Sequence, residues 1–217
     1  MEIAPCQTTG NEITNITSLL SKFKKFTFIF RVSEQTWLTE EMSPDGAAKL
    51  TDRIESFLGV KAHSTKDAEL YQVANYGLAG QYDVHWDQIM MHNDGPSKVQ
   101  RREVFNNRMG DRFATLMGYL SDVQLGGHTV FPTVGAYVKP VKGSMVIWWN
   151  MDKAGGYDWR VRHGGCPVMV GSKWITNKWL RINSQMFVKP CPKYKTRELR
   201  KFRNFHKYAR GGFYQEP

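Results

Sequence analysis

From residue 69 onward the chain is a series of short β-branched and aromatic runs cut apart by glycine and proline, and this punctuation limits it to a strand-built core. Candidate strands are residues 69–76, 112–120, 129–131, 144–149, 160–170 and 173–182. Turns are marked by Gly126-Gly127, by Pro140 to Gly143 and by Gly171-Ser172. One helix precedes them. Ser43 or Asp45 can cap it, Pro44 suits its first turn, and Gly59 stops it. Ala47, Leu50, Ile54, Phe57 and Leu58 recur at three- and four-residue spacing, which predicts one buried face. Residues 26–32 read as a further strand, and the polar stretch 89–111 as a long loop of the kind that forms lids. Many short strands behind one helix predict an antiparallel sandwich or jelly roll, mainly β with supporting α.

A chain of 217 residues suits one domain with a substantial core. Residues 1–30 read as a partly disordered lead-in and residues 192–217 as a basic tail. Residues 189–217 hold nine Lys or Arg against two acids, seven of the formal net charge of +10. The basicity is therefore that of a tail, which makes nucleic acid a poor fit as partner. No run approaches the roughly 18 apolar residues of a membrane span. Neither a signal peptide nor a retention tetrapeptide is visible, so either the chain is cytosolic or its natural N-terminus lies upstream. The three cysteines, Cys6, Cys166 and Cys191, fit neither a disulfide scaffold nor a four-cysteine metal site, and leave one bridge plus a spare thiol open.

His85-Trp86-Asp87, with His163 far downstream, supplies two imidazoles and one carboxylate, the facial triad of non-haem Fe(II) oxygenases. On an extended backbone His85 and Asp87 project to one side. His63, His92, His128 and His206 fall in loops or turns and read as solvated. Ten residues after His163 comes Lys173. Alternation places Lys173, Ile175, Asn177, Trp179 and Arg181 on one strand face. If that face looks into the barrel, the ammonium needs an anionic partner, and the distal carboxylate of 2-oxoglutarate is a natural one. The alternative is a snorkelling edge lysine.

The runs Gln72-Val73-Ala74-Asn75-Tyr76-Gly77, Gly80-Gln81-Tyr82 and Thr129-Val130-Phe131-Pro132 resemble the catalytic domain of collagen prolyl 4-hydroxylase α subunits. So do Arg162-His163 through Cys166-Pro167-Val168, and Lys173-Trp174 with Asn177-Lys178-Trp179-Leu180. The resemblance covers residues 31–191, which it marks as an Fe(II)/2-oxoglutarate dioxygenase domain with a double-stranded β-helix core. It implies His85, Asp87 and His163 as iron ligands, and Lys173, assisted by Tyr76 and Thr115, as the 2-oxoglutarate carboxylate site. It further implies O2 as co-substrate, ascorbate as reductant and 4-hydroxylation of peptidyl proline in collagen-like sequences. Tyr82 and Trp179 match groove-lining positions. Arg181 stands where the family usually has histidine in the peptide cleft, and is expected to add a positive charge facing the substrate. Cys166 and Cys191 match a pair that the family joins by a disulfide, with the endoplasmic reticulum lumen as the compartment and protein disulfide isomerase as an assembly partner. Two alternatives stay open: the same chemistry on another peptide or a small molecule, and a non-catalytic β-sandwich with a polyanion-binding tail.

Overall fold

The computed structural model describes residues 31–91, 109–152 and 155–188. The basic tail, Cys6, Cys191, His92, His206, most of the 26–32 strand and the centre of the 89–111 loop lie outside these residues.

Eleven strands are present among the described residues: β1 (Glu34–Leu38), β2 (Tyr71–Tyr76), β3 (Tyr82–His85), β4 (Arg112–Tyr119), β5 (Leu125–Gly126), β6 (Thr129–Phe131), β7 (Ala136–Val138), β8 (Met145–Trp149), β9 (His163–Gly165), β10 (Val168–Val170) and β11 (Lys173–Arg181). They form a five-stranded sheet in the order β1-β2-β11-β4-β8, a four-stranded sheet β3-β9-β6-β7 and a pair β10-β5. Every pairing is antiparallel. Two sheets facing each other across a packed layer make the expected jelly-roll core. Tyr76, Met117, Tyr119, Phe131, Trp148, Val168 and Ile175 fill that layer.

The outer face of the large sheet is covered by the helix. Ser43 caps it, with its Oγ accepting from the Ala47 N–H, Pro44 opens the first turn, and α1 spans Lys49–Leu58. Gly59 ends it with φ of 61°, a left-handed conformation that glycine adopts without steric cost. Ala47 and Ile54 pack on Tyr71, Ala114, Leu116 and Leu180. Phe57, expected on that face, is 79% exposed. The buried stripe runs through Ala47, Thr51, Ile54 and Leu58, and at about 100° per residue Phe57 falls roughly a quarter turn away from its centre.

The central strands β4 and β11 are buried along nearly their whole length. The outer face of β11 carries Lys178, whose ammonium sits 4.3 Å from the Tyr71 ring centroid and 3.0 Å from Glu40. Between β2 and β3 the chain must turn sharply to change sheets. Gly80 makes this possible, since a Cβ there would stand 2.9 Å from the Tyr76 backbone.

His63 is exposed, as expected, and is clasped between Glu40 and Asp52, whereas both ring nitrogens of His128, also read as solvated, are buried beside Tyr137. Cys166 is 6% exposed and disulfide-bonded.

Candidate metal centre and cosubstrate cleft

Cross-strand register builds the centre. His85 ends β3 and His163 begins β9, and the two are direct partners in the pairing, with ring centroids 4.4 Å apart. Asp87 lies just beyond the end of β3, so shared strand alternation does not place it, contrary to expectation. Instead the chain leaves the strand and brings the carboxylate back, with Oδ1 3.7 Å from His85 Nε2 and Oδ2 3.6 Å from His163 Nε2. All three side chains are buried, and their ligand atoms lie within 4.8 Å of one another.

The tautomers follow from the backbone. His85 Nδ1 lies 2.7 Å from the Asp83 carbonyl, and His163 Nδ1 lies 2.8 Å from the Val161 carbonyl. A carbonyl only accepts, so each Nδ1 carries a proton, which leaves Nε2, the nitrogen facing Asp87, as the atom each ring can offer to a metal. Burial would raise the Asp87 carboxyl, but His163, His85 and Arg112 outweigh it and hold it well below the usual carboxylate range. Burial pushes His163 down to about 4. One carboxylate and two imidazoles facing it through Nε2, all buried and within reach of one centre, are the donors of a facial triad, so the set fits iron.

The inner face of the large sheet forms a cleft of about 230 Å³ leading from this cluster. Lys173, Ile175, Asn177 and Trp179 line it, as alternation along β11 predicts. Lys173 is 3% exposed, and burial pushes its ammonium down to about 7. Its Nζ donates to Thr129 Oγ1 at 3.3 Å, and the Tyr76 and Tyr119 ring centroids lie 5.7 and 5.6 Å away. Among the described residues no carboxylate pairs with it.

Two expectations change here. Thr115, expected to assist Lys173, instead donates to Asp87 Oδ2 at 2.7 Å. The residue at the lysine is Thr129, which also receives the Tyr119 hydroxyl at 2.9 Å. Arg181, expected to face substrate with a free charge, is 3% exposed and outside the cleft lining. It binds Glu69 at 2.9 Å and the Gly110 carbonyl at 2.9 Å. The cause is a slip in pairing after Leu180, where Arg181 comes opposite Arg112 rather than Phe113.

Aromatic groups surround the remainder of the cleft. Tyr82 stacks on His85 with centroids 3.8 Å apart, and Trp148 lies 4.6 Å from the His163 ring. Trp37 approaches Trp179 at 6.2 Å, Arg112 lies 4.0 Å over Trp179, and Arg31 lies 4.6 Å over Tyr82. Sequence reasoning missed Arg112, Glu69, Trp37, Trp148 and Tyr119. The faces of the four on strands follow from register, and Glu69 is placed by its pairing with two arginines, neither of which local pattern gives.

The sequence matches the 2OG-Fe(II) oxygenase superfamily over residues 71–181, just over half of the chain. It is 42% identical over 162 residues to prolyl 4-hydroxylase subunit alpha-2 of Gallus gallus, covering 75% of this chain and 28% of that protein. To the human subunit alpha-1 it is 41% identical, with the same coverage of each. The chain thus spans under a third of the length of these curated relatives. The crystal structure of a viral collagen prolyl hydroxylase from Paramecium Bursaria Chlorella virus-1, in a 2OG complex, is similar with a TM-score of 0.56 and 26% identity. That similarity covers 83% of this chain and 91% of the viral one. Triad, cleft and sequence agree: the chain belongs to the 2OG-Fe(II) oxygenase superfamily.

Proposed function

We propose that this chain 4-hydroxylates peptidyl proline in collagen-like, proline-rich sequences, with Fe(II), 2-oxoglutarate and O2, and with ascorbate as reductant. His85, Asp87 and His163 hold the iron, and Lys173 with Thr129 and Tyr76 holds the distal carboxylate of 2-oxoglutarate. The observation that carries this reading is the buried Lys173 ammonium, without a carboxylate partner among the described residues, in the same cleft as the triad. A 2-oxo dicarboxylate satisfies both, one end on the ammonium and the other at the metal position.

Bound iron supplies O2 activation coupled to oxidative decarboxylation, so that peptidyl proline, 2-oxoglutarate and O2 become hydroxyproline, succinate and CO2. The chain's own residues do the rest. Thr129 Oγ1 accepts from both the Tyr119 hydroxyl and the Lys173 ammonium, which holds the ammonium in place, and Phe131 and Trp148 exclude water beside His163. Tyr82, Trp179 and Trp37 offer ring surface of the kind that receives polyproline II chains, which arrive extended and lose little entropy on docking. The disulfide at Cys166 supports an oxidising compartment, read here as the endoplasmic reticulum lumen, with Cys191 as its partner.

Incubation with Fe(II), 2-oxoglutarate and Pro-Pro-Gly repeat peptides should give a one-oxygen mass increase on proline, matched by succinate. Steady succinate production with no hydroxylated peptide would reject the substrate while keeping the chemistry.

A further inference from the structure

Asp87 differs from the two histidines in how it is held. Each imidazole is oriented by a carbonyl two residues upstream in its own chain segment. Asp87 lies past the end of its strand and is oriented from the large sheet across the cleft. Thr115 Oγ1 donates to Asp87 Oδ2 at 2.7 Å, and Asn150 Nδ2 donates to Thr115 Oγ1 at 2.8 Å. Thr115 and Asn150 are both completely buried. Asn150 also receives the Gln88 side-chain amide on its main-chain carbonyl, so it holds the residue after Asp87 as well. Arg112 reaches the Asp87 main-chain carbonyl at 3.4 Å.

The direction of this chain of hydrogen bonds is fixed. An ionised carboxylate only accepts, so the single hydroxyl proton of Thr115 must point at Asp87. The Asn150 group facing Thr115 must then be its NH2. With Oδ2 occupied by a short hydrogen bond, the carboxylate presents Oδ1 as its freer donor. A single-oxygen carboxylate beside two imidazoles keeps the remaining metal positions open.

We propose that Thr115 is a positioning residue for the metal, and that Asn150 acts through it by setting the direction of its hydroxyl. The proposal rests on reading His85, Asp87 and His163 as the ligands. Mn(II), titrated anaerobically and followed by electron paramagnetic resonance, serves as probe and needs neither cosubstrate nor peptide. Loss of Mn(II) binding in His163→Ala tests the ligand reading separately.

Thr115→Val keeps the shape and removes the hydroxyl, and should weaken Mn(II) binding by about 10- to 100-fold, the usual cost of losing a partner of a metal ligand. Thr115→Ser restores the hydroxyl and should bind nearly as wild type. Asn150→Asp replaces the donor by an acceptor, draws the Thr115 proton away from Asp87 and should behave as Thr115→Val does. Asn150→Ala leaves Thr115 free to donate to Asp87 and should have the smaller effect. Wild-type Mn(II) affinity in Thr115→Val overturns the proposal. So does Thr115→Ser as weak as Thr115→Val, or a lowered melting temperature in Thr115→Val with unchanged affinity. If Thr115→Val does not fold, Asn150→Asp against Asn150→Ala decides by the same readout, and equal affinities in that pair overturn the proposal.

Discussion

Arg112 and Arg181 stand directly opposite each other on β4 and β11, and one carboxylate holds both guanidinium groups. Glu69 accepts from Arg112 Nε and Nη2, each at 2.6 Å, and its Oε1 lies 2.9 Å from Arg181 Nη2. Like charges facing across an antiparallel pair repel, so the pairing depends on the acid between them. Arg112, thus fixed, lies over Trp179 and against the Asp87 carbonyl.

Glu69→Ala should therefore destabilise the fold by about 3 kcal/mol, because it strands the buried Arg181 and the half-buried Arg112. Arg181→Leu should cost less, since the two-toothed Arg112–Glu69 pair survives. Urea unfolding of the two variants gives the order, and an Arg181→Leu loss equal to that of Glu69→Ala would show that the acid is not the keystone.

Removal of a ligand should abolish metal-dependent stability. Anaerobic Fe(II) at a hundredfold excess over its Kd should raise wild-type stability by about 2.7 kcal/mol. Asp87→Ala and His163→Ala should show no such gain and no 2-oxoglutarate turnover. Thermal melts with and without the ion report it, and a retained gain in either variant counts against the triad.

The proposed contact between Lys173 and 2-oxoglutarate should be linked to protons. Lys173 titrates near 7 in the folded protein and at 10.5 unperturbed. The unfolded chain thus binds more protons between those values, and apo stability contributed by this group rises with pH across that window. Holding a carboxylate needs the ammonium, so 2-oxoglutarate affinity should fall as pH rises above about 7, with proton uptake on binding. Calorimetry at about pH 8 in buffers of different ionisation enthalpy measures the uptake. Lys173→Ala should abolish it and weaken binding by about 10- to 150-fold.

His63 gives the opposite sign. Its Nδ1 faces Glu40 at 2.5 Å and its Nε2 faces Asp52 at 2.8 Å, so both nitrogens donate only in the imidazolium. The hydrogen bond to Glu40 is the main cause raising its pKa above 6.5, and the partly exposed side chain keeps the gain modest. That stability is fully present below 6.5 and is lost as pH rises through the folded value. The melting-temperature gap between wild type and His63→Ala should narrow from about pH 6 to about pH 9. A gap independent of pH would assign His63 to packing alone.

Much of the site was legible because its parts repeat with strand spacing. Alternation along β11 set Lys173 and Trp179 on one face, and the His85, Asp87 and His163 chemistry stood out by residue type. Thr115 and Thr129 show where that reasoning stops. Both face inward, but which hydroxyl reaches Lys173 depends on how the two sheets stack, and no local pattern encodes that. Arg181 escaped for a related reason, since the slip opposite Phe113 breaks the alternation without a glycine or proline to announce it. β1 was missed because Glu34, Gln35 and Thr36 are exposed, and an edge strand has little apolar pattern to read.

Lys173 and Trp179 share one face of one strand six residues apart, about 20 Å along β11. Because a strand shows its faces alternately, a one-residue slip would turn the ammonium and the indole out of the cleft together. The ammonium proposed to hold 2-oxoglutarate and the indole wall are thus graduations on the same ruler. A change of substrate taste in such a scaffold has to come from parts that do not share it, such as the β1 edge bearing Trp37, where side chains can be exchanged without shifting the mark at Lys173.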